Sequence, residues 1–347
     1  MTLLTAKASQ SWHPTAHCAR PRVVLVGAGR WGERHLRAWK ALEARGECRL
    51  VGVIGRNPRR LEQIATCYEV VTSTGMELLG EACAVDIVTG TPAHGPLLLR
   101  CIDLGKHVLV EKPMTATLAQ AERVRDACRG YPGIVMVGHL FRYNAAADWA
   151  MARVSAGDIG RIRFMRGRFT GFRFPERDCG ILATSAMHFM YLSDFFIGEH
   201  PVKVRAETHN LLGHDLDDAC QITLTYPSSA FCWVESDYFT PGKWRTFDIM
   251  GELGSIRCDL LEQRGMLCGS RHVIDAEAGS VRAVTGEMIE FSPAEKKEPL
   301  VAELEHFVSC IRTGAPPRTG VGDAVAVLAT IEKCYQSAAT GQEIICE

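Results

Sequence analysis

The chain has 347 residues, beyond the size at which one hydrophobic core stops growing, so two domains are expected. Apolar residues make up 47% and charged residues 23%, with a formal charge of -1, which gives no electrostatic hold on nucleic acid or an anionic membrane. No apolar run approaches the ~20 residues that a membrane helix needs, so neither nucleic acid nor a membrane is an expected partner.

Residues 1–21 contain turn or cap signals at Ser9, Ser11 and Pro14 and no secretory-type apolar core, and are expected to form a flexible lead-in. Val23-Val24-Leu25-Val26 then reads as a short buried strand, three of its four residues being β-branched. Gly27, Gly29 and Gly32 follow at G-x-G-x-x-G spacing, enclosing Arg30 and Trp31. In a strand-to-helix turn the first glycine permits the bend, the second admits a pyrophosphate, and the third lets helix and strand pack closely. The helix over roughly Trp31–Arg45 would turn its unpaired N–H groups and positive dipole end to that phosphate.

From residue 22 to 143 strands and helices alternate. Strands are expected at Val23–Val26, Leu50–Ile54, Ile87–Thr89, His107–Val110 and Ile134–Val137. Helices are expected at Glu33–Ala44, Arg59–Thr66, Met76–Leu79, Pro96–Asp103 and Leu118–Arg129. Short apolar strands alternating with helices predict a doubly wound parallel sheet, with ligands at the carboxyl ends of its strands. The second strand ends in Gly55-Arg56-Asn57-Pro58, without the acid that usually binds the ribose of NAD. Arg56 would suit adenine or a 2′-phosphate, so NAD and NADP both stand. The strand expected at Ile87–Thr89 runs into Gly90-Thr91-Pro92-Ala93-His94, on the nicotinamide side, making Thr89, Thr91, Pro92 and His94 cofactor candidates. The strand expected at His107–Val110 leads into Glu111-Lys112-Pro113, where Lys112 is either a surface lysine or points into the substrate crevice.

Residues 144–347 change character. A helix over Asn144–Ser155 precedes alternating segments at Arg161–Thr170, Val202–Leu211, Ala219–Tyr226, Ala230–Tyr238, Trp244–Met250 and Gly254–Cys258, which predict an antiparallel sheet with one polar face. Amphipathic helices follow at Leu300–Arg312 and Gly322–Thr340. The 14 cysteines are scattered singly with no C-x-x-C pair, so a reducing cytoplasm and no metal site are expected.

The glycine turn, the Glu111-Lys112-Pro113 motif after Gly-Lys-His, and the closing Ala302-Glu303-Leu304-Glu305-His306-Phe307 helix together resemble the Gfo/Idh/MocA oxidoreductases, in that family's order, from about Arg22 to Glu343. The resemblance implies a Rossmann domain and a C-terminal α/β domain with an open, mostly antiparallel sheet. It implies bound NAD(P), a homodimer or homotetramer formed through that sheet, Lys112 as the active-site lysine and Glu111 beside the cofactor. The family's Asp-x-x-x-His-x-x-Asp segment appears here with His188, but with Thr184 and Tyr191 in place of the aspartates. His188 is then either a core histidine or a neutral general base oriented by Thr184 or Tyr191.

Gly138-His139-Leu140-Phe141-Arg142-Tyr143-Asn144 resembles the family segment beside the nicotinamide, which makes His139, Arg142 and Asn144 substrate candidates. Arg161, Arg163, Arg166, Arg168 and Arg173 recur largely at period two, and Lys243-Trp244-Arg245 follows a Pro-Gly turn. Arginines suit phosphate, while a solvated sheet face or a subunit contact explains the first group equally well. The Tyr-Phe-Thr-Pro-Gly-Lys and Gly-His-Leu-Phe-Arg-Tyr-Asn runs look like the branch acting on UDP-N-acetylhexosamines, including the UDP-N-acetylglucosamine 3-dehydrogenases of lipid A assembly. The expected reaction is oxidation of a sugar hydroxyl by NAD, with His188 taking the proton, Lys112 steadying the alkoxide, and Arg173, Lys243 and Arg245 holding a UDP-sugar. A polyol dehydrogenase of inositol type and a non-catalytic dinucleotide sensor are the rival expectations.

Overall fold

A computed structural model describes residues 19–175, 178–275 and 279–346. Of the lead-in, residues 1–18, with Ser9, Ser11 and Pro14, lie outside the described residues. Arg20 is tied down, its Nε donating to the Cys48 carbonyl at 3.0 Å.

The first sheet is parallel throughout. It uses β1 (Arg22–Val26), β2 (Arg49–Ile54), β3 (Thr72–Ser73), β4 (Ala84–Ile87), β5 (His107–Glu111) and β6 (Val135–Gly138), in the order β3-β2-β1-β4-β5-β6. Its strands carry apolar side chains to both faces because helices cover both. Val23 and Leu25 pack with α1 (Arg30–Ala44) and α2 (Pro58–Tyr68). Val24 and Val26 pack with α3 (His94–Asp103) and α4 (Leu118–Ala127). Asn57 starts α2 by accepting from the Arg60 amide at 3.2 Å. The fourth strand corrects the sequence expectation: it runs Ala84–Ile87, not Ile87–Thr89. Asp86 interrupts the apolar pattern there, yet it is fully buried because Trp39 Nε1 donates to it at 2.7 Å.

The second domain opens with α5 (Ala145–Ser155), β7 (Ile162–Gly171) and α6 (Met187–Ile197). Strands β8 (Lys203–His209), β9 (Ala219–Thr225), β10 (Phe231–Asp237), β11 (Lys243–Gly251), β12 (Ser255–Asp259) and β13 (Arg264–Cys268) follow. A separate hairpin, β14 (Arg271–Asp275) with β15 (Ser280–Val284), precedes β16 (Met288–Phe291), α7 (Pro299–Thr313), α8 (Val321–Thr340) and β17 (Ile344–Ile345). Nine strands form one sheet in the order β16-β13-β12-β11-β7-β10-β9-β8-β17. The pairing is antiparallel except between β7 and β10, which are parallel. Between them the chain crosses through α6 to β8 and reverses twice, into β9 and then β10, so that β10 runs the same way as β7.

The inner face of this sheet packs on α6. A Cβ at Gly167 would lie 2.5 Å from the Phe189 Cβ, so glycine there lets the helix press onto β7. The outer face takes up four of the five arginines. Arg161 and Arg163 pair with Glu252, Arg166 with Asp248 at 2.7 Å, and Arg168 with Glu235. Helix α7 returns to the first domain, where Leu300, Leu304 and Phe307 join the core beneath α1. No described helix is long and apolar enough to cross a membrane.

Candidate active site

Three glycines shape the turn after β1 in three different ways. Gly27 has φ +133°, and a Cβ there would lie 2.1 Å from the Val88 carbonyl oxygen. A Cβ on Gly32 would lie 2.2 Å from the Gly27 carbonyl oxygen, so the start of α1 presses directly on the turn. Gly29 would meet nothing within 4 Å. It precedes α1, whose first turn has no side-chain cap. Open space before uncapped helix N–H groups fits the pyrophosphate of a dinucleotide. At the adenosine end, a Cβ on Gly55 would meet Ala28 Cβ at 2.9 Å and Leu61 Cδ2 at 3.1 Å, while Arg56 is exposed.

Strand β5 ends at Glu111, whose buried carboxylate gathers three donors or partners. Trp31 Nε1 donates to it at 2.7 Å, the Lys112 amide donates at 3.0 Å, and His35 Nε2 lies 3.1 Å away. His94 sits between the carbonyl oxygens of Pro113, 2.8 Å, and Thr89, 3.0 Å, joining the ends of β4 and β5. Lys112 Nζ crosses to the second domain and donates to the Thr184 carbonyl at 2.7 Å. Thr184 lies in a widened π-helical turn, Leu182–Ala186, that leads into α6. Such turns accompany functional sites often. Asp217 starts this segment, accepting from the Leu182 amide at 2.8 Å.

Between the domains lies a cavity of about 1150 Å³. Arg30, Trp31, Thr89, Thr91, His94, Glu111 and Lys112 line it from the first domain; Phe169, Arg173, His188 and Tyr238 line it from the second. The volume is at or above the usual range for a ligand site, which leaves room for the nicotinamide half of a cofactor and a sugar ring. His188 stacks on Phe169 at 5.5 Å and leans on Phe141 at 4.9 Å. Burial first, then the nearby cations Lys112, Arg245 and Arg173, hold its imidazole well below the usual histidine range. It is therefore neutral near pH 7.

Other candidates stand elsewhere. Neither Thr184 nor Tyr191 orients His188. Thr184 Oγ1 donates to the Gly180 carbonyl at 3.0 Å. Tyr191 stacks on His139 at 4.1 Å and reaches the Arg318 carbonyl at 3.4 Å. Burial drives His139 down to about 3, and neither ring nitrogen has a partner among the described residues. Asn144 caps α5, accepting from the Ala146 amide at 3.0 Å and donating to the Leu260 carbonyl at 2.8 Å. Arg142 binds Asp148 at 2.7 Å and covers the Phe195 ring. Pro92 is exposed on a short turn. Arg245 is buried, donates to the Thr170 carbonyl at 2.7 Å, and lies 3.4 Å over Phe169. Burial and nearby Arg173 push its guanidinium down to about 9. Lys243 is exposed, and after burial the charges of Arg245, Arg34 and Arg173 lower its ammonium.

Sequence reasoning missed His35, Arg34 and the aromatic rim of Phe172, Phe174 and Phe239, the last four of which line the cavity. His35 stands three residues after Gly32, on the helix face turned toward the sheet, and that spacing was the available signal.

The family model for the Gfo/Idh/MocA oxidoreductases, NAD-binding Rossmann fold, matches residues 21–139, and the model for their C-terminal alpha/beta domain matches residues 152–345. The scyllo-inositol 2-dehydrogenase (NAD(+)) of Bacillus subtilis is 26% identical over 326 residues, 85% of this chain and 87% of that protein. The UDP-N-acetylglucosamine 3-dehydrogenase of Acidithiobacillus ferrooxidans is 23% identical over 297 residues, 85% of this chain and 90% of that protein. In fold, the chain resembles a levoglucosan dehydrogenase solved with NADH, at a TM-score of 0.82, 21% identity, and coverage of 94% of this chain and 99% of that one.

Proposed function

We propose that this chain, which belongs to the Gfo/Idh/MocA oxidoreductase family, uses NAD to oxidise a secondary ring hydroxyl of a sugar or cyclic polyol to a ketone. The observation that carries this reading is that Lys112 and His188 line one cavity with Arg30 and Trp31 of the glycine turn. A nicotinamide held beside Arg30 and Trp31 would supply the hydride acceptor for the carbinol carbon. Neutral His188 accepts the hydroxyl proton. Lys112 Nζ, a donor already placed at the cavity wall, steadies the oxygen as negative charge develops on it. The low basicity of His188 means that it holds this proton loosely and can pass it on.

The narrower substrate we propose is UDP-N-acetylglucosamine, oxidised at C3, as in the synthesis of lipid A or a surface polysaccharide precursor. Arg173 in the cavity wall, with Lys243 and Arg34 near it, supplies cations suited to a diphosphate. The relative from Acidithiobacillus ferrooxidans acts on that substrate. A second reading, oxidation of an inositol, is favoured by the 26% identity to the scyllo-inositol enzyme. Reduction of NAD in the presence of UDP-N-acetylglucosamine, myo-inositol or scyllo-inositol separates the two. Turnover of the nucleotide sugar supports the first, and turnover of inositols alone supports the second. NADP serves as an alternative cofactor, because Arg56 is exposed and position 55 carries no acid. We also propose a homodimer or homotetramer formed through the outer face of the nine-stranded sheet, where Phe164, Phe231 and Trp233 pack together and Trp233 stays 43% exposed.

A further inference from the structure

Behind the Lys112 turn lies a cluster of buried ionisable groups that the proposed chemistry does not use. His35, on α1, is fully buried. Its Nδ1 lies 2.8 Å from Asp86 Oδ2 and its Nε2 lies 3.1 Å from Glu111 Oε1. Trp39 Nε1 also donates to Asp86 Oδ2 at 2.7 Å. Glu303, from α7, is buried nearby, and neither of its carboxyl oxygens has a partner among the described residues. Carboxylates removed from water are costly unless they are paired. Burying such a group behind a cleft demands a reason beyond packing.

The reason lies in what Glu111 touches. One oxygen takes Trp31 and His35, and the other takes the Lys112 amide. Trp31 and Lys112 both line the cavity, one from the cofactor turn and one from the turn after β5. Glu111 is thus a brace between two walls of the site. Glycine at 138 leaves this carboxylate its space, since a Cβ there would lie 3.1 Å from its Oε1.

We propose that His35 is a positioning residue: by bridging Asp86 and Glu111 it fixes the Glu111 carboxylate, which in turn aligns Trp31 with the Lys112 turn. The proposal rests on the oxidoreductase reading of this same crevice. The charges agree with the geometry. Asp86 and Glu111 outweigh the burial that opposes them and raise the His35 imidazole to about 10, so it is doubly protonated. Burial opposes ionisation of Glu111, but His35 and Lys112 hold it anionic. Glu303, facing Glu111 and Asp86, is pushed well above the carboxylate range by burial and by those two charges, so it is neutral. One imidazolium serves two carboxylates, and the third stays protonated.

The test combines ring protonation with a double-mutant cycle. Nitrogen-15 spectra of histidine-labelled wild type read the ring directly, without turnover. Both His35 nitrogens should carry protons at pH 8. With the substrate found for the wild type, His35→Gln should lower kcat roughly tenfold to hundredfold, as a misplaced reacting group does, with KM changed far less. Glu111→Gln should do the same, and His35→Gln added to Glu111→Gln should cost less than about threefold more, because both act through one brace. A neutral His35 ring in the wild type overturns the proposal, even if the variants fail to fold. Losses that multiply, or an unchanged kcat in His35→Gln, overturn it as well. A wild type with no turnover on any sugar or polyol overturns the functional reading and the positioning role together, whereas turnover with any of the preceding three results overturns the positioning role alone.

Discussion

Gly32 and Gly27 are pressed together, a Cβ on Gly32 having to stand 2.2 Å from the Gly27 carbonyl oxygen. Gly29, between them in sequence, faces open space. Two alanine substitutions in one motif should therefore fail differently. Gly32→Ala should destabilise the fold by about 1–3 kcal/mol through overpacking. Gly29→Ala, at φ -74°, should stay within about 0.5 kcal/mol of the wild type. It should nevertheless weaken NAD binding at least about tenfold, because its methyl enters the pyrophosphate approach. Thermal unfolding and a cofactor titration on both variants check this.

Arg173 and Arg245 share the Phe169 ring but have different tasks. Arg173 lines the cavity and its Nη2 donates to Ser185 Oγ at 2.7 Å. Arg245 is buried and donates to the Thr170 carbonyl. Arg173→Ala should weaken a UDP-sugar by about ten- to hundredfold and leave NAD affinity almost unchanged, a charge-assisted contact contributing about 1.5–3 kcal/mol. Arg245→Ala should act mainly on stability, costing about 1–3 kcal/mol by leaving a buried carbonyl unpaired. Calorimetric binding and thermal unfolding separate the two. Equal loss of substrate binding with unchanged stability in both would show that Arg245 also meets the ligand.

Much of this was legible in the sequence because the signals are local. The spacing of Gly27, Gly29 and Gly32 encodes a turn, and the run before Lys112 encodes a strand end, with the side of the fold that Lys112 faces left open. The parts that were hidden depend on partners distant in sequence. Asp86 disguised a buried strand because its partners, His35 and Trp39, lie on α1. Asn144 carries the functional groups of a ligand contact, but the start of α5 and the Leu260 carbonyl use both ends of its amide. Arg161 through Arg168 could be placed only once the carboxylates on neighbouring strands were known. The parallel pairing of β7 with β10 follows from the course of the chain through α6, which periodicity does not reveal.

Cofactor choice follows from the turn after β2. Gly55 carries no charge to repel a 2′-phosphate, and a side chain there would collide with Ala28 and Leu61. Arg56 is exposed beside it. Discrimination between NAD and NADP should stay below about a hundredfold, or roughly 2.7 kcal/mol. Competitive titration of the two cofactors measures it, and a larger preference in either direction would refute this account of the turn.

His35 makes a distinct prediction for stability against pH. Its folded value, about 10, lies above the ordinary histidine value of 6.5. Below pH 6.5 both states hold the proton and the full contribution is present. As pH rises toward 10 the unfolded chain has released the proton while the folded chain still binds it, so the contribution is lost across that window. The melting temperature of the wild type should fall between these limits more steeply than that of His35→Gln. Parallel profiles for the two proteins would rule out a raised His35.

Oxidation of a ring hydroxyl in this crevice, with Lys112 in the site, can be read by following the hydrogen. Substrate carrying deuterium on the oxidised carbon is mixed with NAD and either wild type or Lys112→Ala, and the reduced nicotinamide is analysed for the label. The wild type should transfer the label, and the variant should transfer it at least about a hundredfold more slowly, with NAD affinity little changed. Equal rates in the two proteins, or a wild type that binds NAD tightly and transfers no label from any sugar or polyol, would contradict it.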